Sequence, residues 1–394
     1  MGKSAVEMGH MKIAVVGAAG EVGYYVIEFL KRRGHETLGV VRSSPGPLLS
    51  REETEVARID PENESSLDRA LGHCDIVVNC ALDTRTYATA RERVEKNVRF
   101  CNHLLRCAER NRIRKIVHLS SIAVLPSRLT NDRLGCPFAY ANKSDWYARA
   151  KIETEKAFLR IGRSNIVIIR PGIVYGARTF WSRMAFERVL NNRLLLPDVQ
   201  GYCYAVHPLD LSRLIERAIV ASDSPKVIYA SNPEQITWES YYAAHAKALG
   251  VEAVIQRIPV HIMRREMSLS HRMVKWGADG LHGAAAFFRT GAYSTMKWVS
   301  QIPFRESILK LPKAEKIGLR LYETIADSAI RPHMSSSEES YRPLYPSSSE
   351  LEMYQSNADL RRVEVGQSIG FKYEISLEQG CENAALWWSN KFIF

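Results

Sequence analysis

The sequence predicts an α/β fold: a doubly wound parallel sheet followed by a smaller, mostly helical C-terminal region. Three observations lead there. Over the first 230 residues, short β-branched apolar runs alternate with longer stretches of helical periodicity. A glycine-rich turn joins the first apolar run to the first helical stretch. From about Ser231 the alternation fades, and helical patterns broken by Pro259, Pro303 and Pro312 take over.

Taken in order, Lys12–Val16, Glu36–Val41, Asp75–Cys80, Lys115–Leu119 and Asn165–Arg170 read as strands. Glu21–Arg33, Ala88–Arg112 and Asp145–Ile161 read as the helices between them. In such folds ligands bind outside the carboxyl ends of the strands, so chemistry is sought there. Residues 11–230 are expected to bind a dinucleotide and carry the catalytic groups, and 231–394 to shape the substrate site. The Ser-, Glu- and Pro-rich stretch 334–349 reads as a mobile loop, and Ile369 to Trp388 as a closing ordered piece.

Lys12–Val16 runs into Gly17-Ala-Ala-Gly20-Glu-Val-Gly23. Gly17 suits a tight turn, Gly20 a close approach of pyrophosphate, and Gly23 close helix–strand packing. The helix that follows points its free N–H groups at the phosphates. The second strand ends in Arg42-Ser43 where an NAD-specific site usually has an acid. A guanidinium there can grip a 2′-phosphate and Ser43 can donate to it, which favours NADP over NAD. Asp60 is placed to meet the adenine amine.

Tyr147 and Lys151 stand four residues apart, on one helix face. A phenol with a pKa of about 10 is a poor base, and a neighbouring cation is expected to lower it. A serine hydroxyl from Ser120-Ser121, at a strand end, can hold the reacting oxygen beside the phenol. The strand ending at Arg170 continues into Pro171-Gly-Ile-Val-Tyr175-Gly176, suited to backbone contacts with a carboxamide.

With these residues together, the chain resembles the extended short-chain dehydrogenase/reductase family, in its NAD(P)-dependent epimerase/dehydratase group. The matching residues are Gly17, Gly20, Gly23, Ser121, Tyr147, Lys151, Arg170-Pro171 through Gly176, His207-Pro-Leu-Asp210 and Ser376 to Gly380. The resemblance selects Ser121 over Ser120, through Val124, although Leu125 departs from the family's tyrosine. It implies a Rossmann domain, a small-molecule substrate, a homodimer, and a role for Asn97 in ordering the active site. Family dehydratases carry an Asp-Glu pair where this chain has Ile122 and Ala123, which cannot transfer protons. Epimerisation or net oxidoreduction therefore remains.

The leading expectation is a nucleotide-sugar or polyol enzyme, with Arg178, Arg183 and Arg188 suited to a diphosphate. The alternative is an NADPH-dependent reductase of a bulkier apolar substrate, as in hydroxysteroid and flavonol-type branches. It is motivated by Trp276, Phe287, Phe288, Tyr293, Trp298 and Phe304. A third reading, a non-catalytic dinucleotide sensor, fits poorly with an intact Tyr147/Lys151 pair.

Composition excludes other classes. The net charge is +11, but the basic residues are dispersed, without zinc-finger spacing or an aromatic-basic motif, so nucleic acid is not expected as partner. The seven cysteines form no CxxC and read as reduced thiols of a cytoplasmic protein. Asp279, Arg289 and Lys297 interrupt the most apolar late stretch, which argues against a membrane span. The eleven histidines show no metal-ligand spacing.

Overall fold

The computed structural model describes residues 11–42, 49, 54–85, 87, 89–125, 145–161, 165–191, 194–265, 346, 348–357, 360 and 366–391. Two compact units divide the chain, Met1–Ile258 with Ser349–Phe394, and Pro259–Ser348. In the second unit, the Ile262 and Met263 N–H groups turn back to the Pro259 carbonyl. Its aromatic stretch from Trp276 to Phe304 lies outside the described residues, as does 334–349 apart from 346, 348 and 349. Ser348 already opens a helix rather than a loop.

The first unit is built on seven parallel strands. They are β1 (Lys12–Val16), β2 (Glu36–Val41), β3 (Glu55–Arg58), β4 (Ile76–Asn79), β5 (Lys115–Leu119), β6 (Ile166–Pro171) and, after three short strands, β10 (Val227–Ala230). Their order is β3-β2-β1-β4-β5-β6-β10, with every neighbouring pair parallel. The order reverses direction at β1/β4, which is where a doubly wound sheet opens a crevice.

Both faces are covered, and the apolar runs of the strands follow from that. Ala14 and Val16 point to one core, shared with helices α2 (Glu64–Leu71), α3 (Ala90–Arg110) and α4 (Trp146–Arg160). Ile13 and Val15 point to the other, shared with α1 (Glu21–Arg32) and α6 (Pro208–Val220). Helix starts are set locally: Thr89, Asp145 and His207 each accept a backbone N–H of the first turn of α3, α4 and α6. Pro208 then occupies a first-turn position that has no N–H to lose.

A third core lies beyond the sheet. It gathers β7 (Ile173–Val174), α5 (Phe180–Leu190), β8 (Leu194–Pro197), β9 (Ala205–Val206), α7 (Trp238–Ala248), α8 (Ser348–Tyr354) and α9 (Leu377–Lys391). A further short strand, β11 (Ile255–Ile258), pairs with β8. Tyr175, Tyr241, Tyr242 and Tyr354 are all buried there. The segment before α9 is held to the sheet layer by Asp210, whose carboxylate accepts the N–H groups of Glu374 and Ile375. The Ser231 N–H adds a bond to the Tyr373 hydroxyl.

Candidate active site

The Gly17 turn leaves β1 at the crevice with φ of +83°, and a Cβ there would lie 2.9 Å from the Ala81 backbone just past β4. Only glycine meets both conditions. A Cβ on Gly23 would stand 2.2 Å from the Gly17 carbonyl oxygen, so α1 packs on the turn at a distance no side chain permits. Gly20 caps α1 without a side-chain hydrogen bond, leaving the first-turn N–H groups of that helix for a ligand. The cradle therefore fits a dinucleotide pyrophosphate, which when bound supplies the nicotinamide that accepts or delivers hydride.

Arg42, at the end of β2, donates to Asp83 at 2.9 Å. Arg85 and Tyr87 donate to the same carboxylate, at 2.6 Å each for their closest approach. Burial alone would raise the Asp83 carboxyl, but these donors outweigh it and hold the group below the usual carboxylate range. Two guanidiniums on one carboxylate leave this corner net cationic. Sequence reasoning missed Asp83 and Arg85, since nothing in their spacing pairs them with Arg42. Ser43 lies outside the described residues. Asp60 is exposed, with one oxygen accepting the Glu62 N–H in a local turn.

Tyr147 enters α4 in its first turn, where Asp145 accepts its N–H at 3.2 Å. Its phenol shares a hydrogen bond with the Ser121 side chain. Ser121 also accepts the Ala123 N–H, which fixes it at the end of β5. Lys151, one turn along α4, is buried and donates from Nζ to the Leu119 carbonyl at 2.7 Å. Strand end and helix thus bring Ser121, Tyr147 and Lys151 together. Burial raises the Tyr147 pKa, with Ser121 pulling the other way. With burial raising it, Tyr147 is a phenol at neutral pH and can act as a proton donor. Ser120 is buried with no partner for its hydroxyl among the described residues.

Asn97 acts on a loop. Its amide oxygen accepts the Asp83 N–H at 2.8 Å, and its nitrogen donates to the Asp83 and Arg93 carbonyls. Pro171 ends β6, and the following Gly172 passes so close to Tyr204 that a Cβ would overlap its carbonyl. His207 and Asp210 are engaged in capping α6 and in tethering residues 374–375.

The three arginines expected at a diphosphate are differently occupied. Arg188 is drawn into a half-buried cluster with Tyr242, Tyr354 and Glu350. Arg178 lies over the Tyr24 ring, 4.3 Å from its centre, and Arg183 over Phe180. Arg188 is therefore a structural cation, because three acceptors already surround it. Among the described residues no group of His, Cys, Asp and Glu could hold a metal ion, and no helix is long and apolar enough to cross a membrane.

Residues 13–200 match the model of the NAD dependent epimerase/dehydratase family. This stretch of the chain belongs to that family. The chain is 22% identical over 257 residues to the sterol-4-alpha-carboxylate 3-dehydrogenase, decarboxylating, of Dictyostelium discoideum, covering 61% of this chain and 76% of that one. It is 22% identical over 302 residues to the 4-hydroxy-2-methyl-3-oxo-4-farnesyl-3,4-dihydroquinoline-1-oxide ketoreductase of Stigmatella aurantiaca, covering 72% and 86%. In fold it is similar to the UDP-glucose 4-epimerase of Thermotoga maritima, with a TM-score of 0.60 at 14% identity over 97% of this chain and 100% of that one. The family match over residues 13–200 and these two relatives support an NAD(P)-dependent enzyme of the extended short-chain dehydrogenase/reductase type.

Proposed function

We propose that this family member reduces a ketone, or oxidises the matching secondary alcohol, on a bulky apolar substrate, with NADP preferred over NAD. The observation that carries the reading is the Ser121–Tyr147 pair beside buried Lys151, with Tyr147 held as a phenol. In the reductive direction Ser121 orients the carbonyl oxygen, and Tyr147 gives it a proton as hydride reaches the carbon. Lys151 then stabilises the phenolate left behind. Ile122 and Ala123 offer no proton carrier for water elimination. The preference for NADP rests on Arg42 in its net cationic corner. The apolar substrate class is supported by the two curated relatives, a sterol dehydrogenase and a farnesyl-quinoline ketoreductase, and by the engagement of Arg188 elsewhere. A homodimer, as the resemblance implies, and a cytoplasmic setting, as the unpaired cysteines suggest, complete the reading.

The fold likeness to a UDP-glucose 4-epimerase favours a second reading, transient oxidation of a nucleotide sugar. One experiment separates the two. Cofactor is released from purified protein and identified, and NADPH or NADH oxidation is followed with sterol-like ketones and, separately, with UDP-glucose. Stoichiometric NADPH consumption with the ketones is expected. Tightly retained NAD and sugar interconversion without net consumption would replace this reading with the second.

A further inference from the structure

Lys151 carries its ammonium in a place almost closed to water, 5% exposed, with the Leu119 carbonyl as its hydrogen-bond acceptor. The titratable groups that face it come from each element packed around it: Cys80 just past β4, Cys101 on α3, His118 on β5, and on α4 itself Glu155. Burial pushes both thiols up to about 12. Burial, with Lys151 adding to it, holds the His118 imidazole well below its ordinary value. At neutral pH, thiols and imidazole therefore contribute no charge. Glu155 is the remaining acid among the groups acting on Lys151.

Glu155 lies one helical turn after Lys151, on the same face. It is fully buried, and so is Arg170 of β6, which grips it bidentately at 3.0 and 2.7 Å. Arg170 also donates to the Tyr229 hydroxyl at 2.9 Å. Buried ion pairs contribute little net stability compared with apolar residues of the same volume, because desolvation offsets the attraction. A pair whose acid stands one helical turn from a buried ammonium has an electrostatic consequence that an apolar pair would lack.

We propose that Glu155, fixed by Arg170, is a positioning residue that keeps Lys151 an ammonium and through it sets the proton transfer at Tyr147. The inference rests on the reading of Tyr147 and Lys151 given above. Burial lowers the Lys151 pKa, and the Glu155 carboxylate acts against it.

The test follows Lys151 directly. Full-length protein is labelled with 15N-lysine, and the Lys151 Nζ signal is assigned by its absence in Lys151→Arg. Its titration is compared in wild type, Glu155→Gln, Glu155→Asp and the double variant Glu155→Gln/Arg170→Met. In Glu155→Gln the Lys151 titration should fall by about one pH unit or more. The double variant should fall by less, since the Arg170 cation leaves together with the acid, and Glu155→Asp should stay nearest to wild type. In the reductive direction, the basic limb of the rate profile should move to lower pH in the same order. If Glu155→Gln does not fold, the double variant decides. Coincident Lys151 titrations in wild type and double variant would overturn the inference. The titration needs no turnover, so loss of the proposed activity would leave it readable and the two readings fail separately.

Discussion

Tyr147 meets its substrate as a phenol at neutral pH, and burial raises its pKa further. Replacing it with Phe removes the proton donor and keeps the ring, so kcat should fall by roughly 10²–10⁴-fold. Dinucleotide affinity, read by fluorescence titration, should hold; a Tyr147→Phe enzyme within tenfold of wild type would remove Tyr147 from the chemistry. At the other end of the crevice, Arg42→Ala should weaken NADP binding by about 2 kcal/mol, roughly thirtyfold, and leave NAD almost unchanged. Equal losses for both cofactors, measured by calorimetry, would mean that Arg42 serves only its ion pair with Asp83. Ser121, Tyr147 and Lys151 were legible in the sequence because their chemistry is local: a strand end and one turn of helix. Asp83 and the Glu155–Arg170 pair were not. Their meaning depends on neighbours brought together by strand order and helix packing, and a lone Asp or Glu gives no sign of that.

Among the elements, strands β1, β2, β4, β5 and β6 were legible because burial on both faces makes them continuous apolar runs. Strand β3 (Glu-Val-Ala-Arg) was not, since it lies at the sheet edge, half exposed, with a charge at each end. Strand β10 was missed as well, although it is as long and as buried as β4. The tight contact of α1 with the Gly17 turn yields an element-scale prediction. Gly23→Ala places a methyl 2.2 Å from the Gly17 oxygen, so α1 must back away from the turn. Cofactor affinity should drop by at least about tenfold while the far-ultraviolet spectrum stays that of a folded protein; unchanged affinity would show that the phosphate cradle does not need this spacing. The segment before α9 gives another. Asp210→Ala leaves the Glu374 and Ile375 amides without their acceptor, at a cost of about 1–3 kcal/mol. Hydrogen exchange should quicken over residues 371–391 and spare β1 and β4. Uniform quickening would mean that Asp210 supports the whole sheet instead.

For the molecule as a whole, buried histidines set an acid limit. Burial lowers His207 and His245 to about 4 each. Both start near 6.5 in the unfolded chain, so the unfolded state binds more protons as pH falls. Their neutral forms contribute stability in full above pH of about 6.5, and that contribution is lost as pH falls toward 4, by up to roughly 3 kcal/mol per histidine. Urea midpoints should decline across that window, and His207→Asn, which keeps a capping oxygen for α6, should flatten part of the decline. A flat wild-type profile from pH 7 to 4.5 would contradict this. The fold class was legible at this scale from alternation alone, whereas the third core was not, because its tyrosines come from the turn after β7 (Tyr175), from α7 (Tyr241, Tyr242) and from α8 (Tyr354), far apart in the chain. The tether at Asp210 has one more consequence, for synthesis. Its backbone partners leave the ribosome 164 and 165 residues after it, long after the seven strands have emerged. Until then Phe371, Leu377 and Cys381 cannot cover the apolar surfaces they finally meet, and a nascent chain paused before residue 371 presents those surfaces to chaperones and proteases.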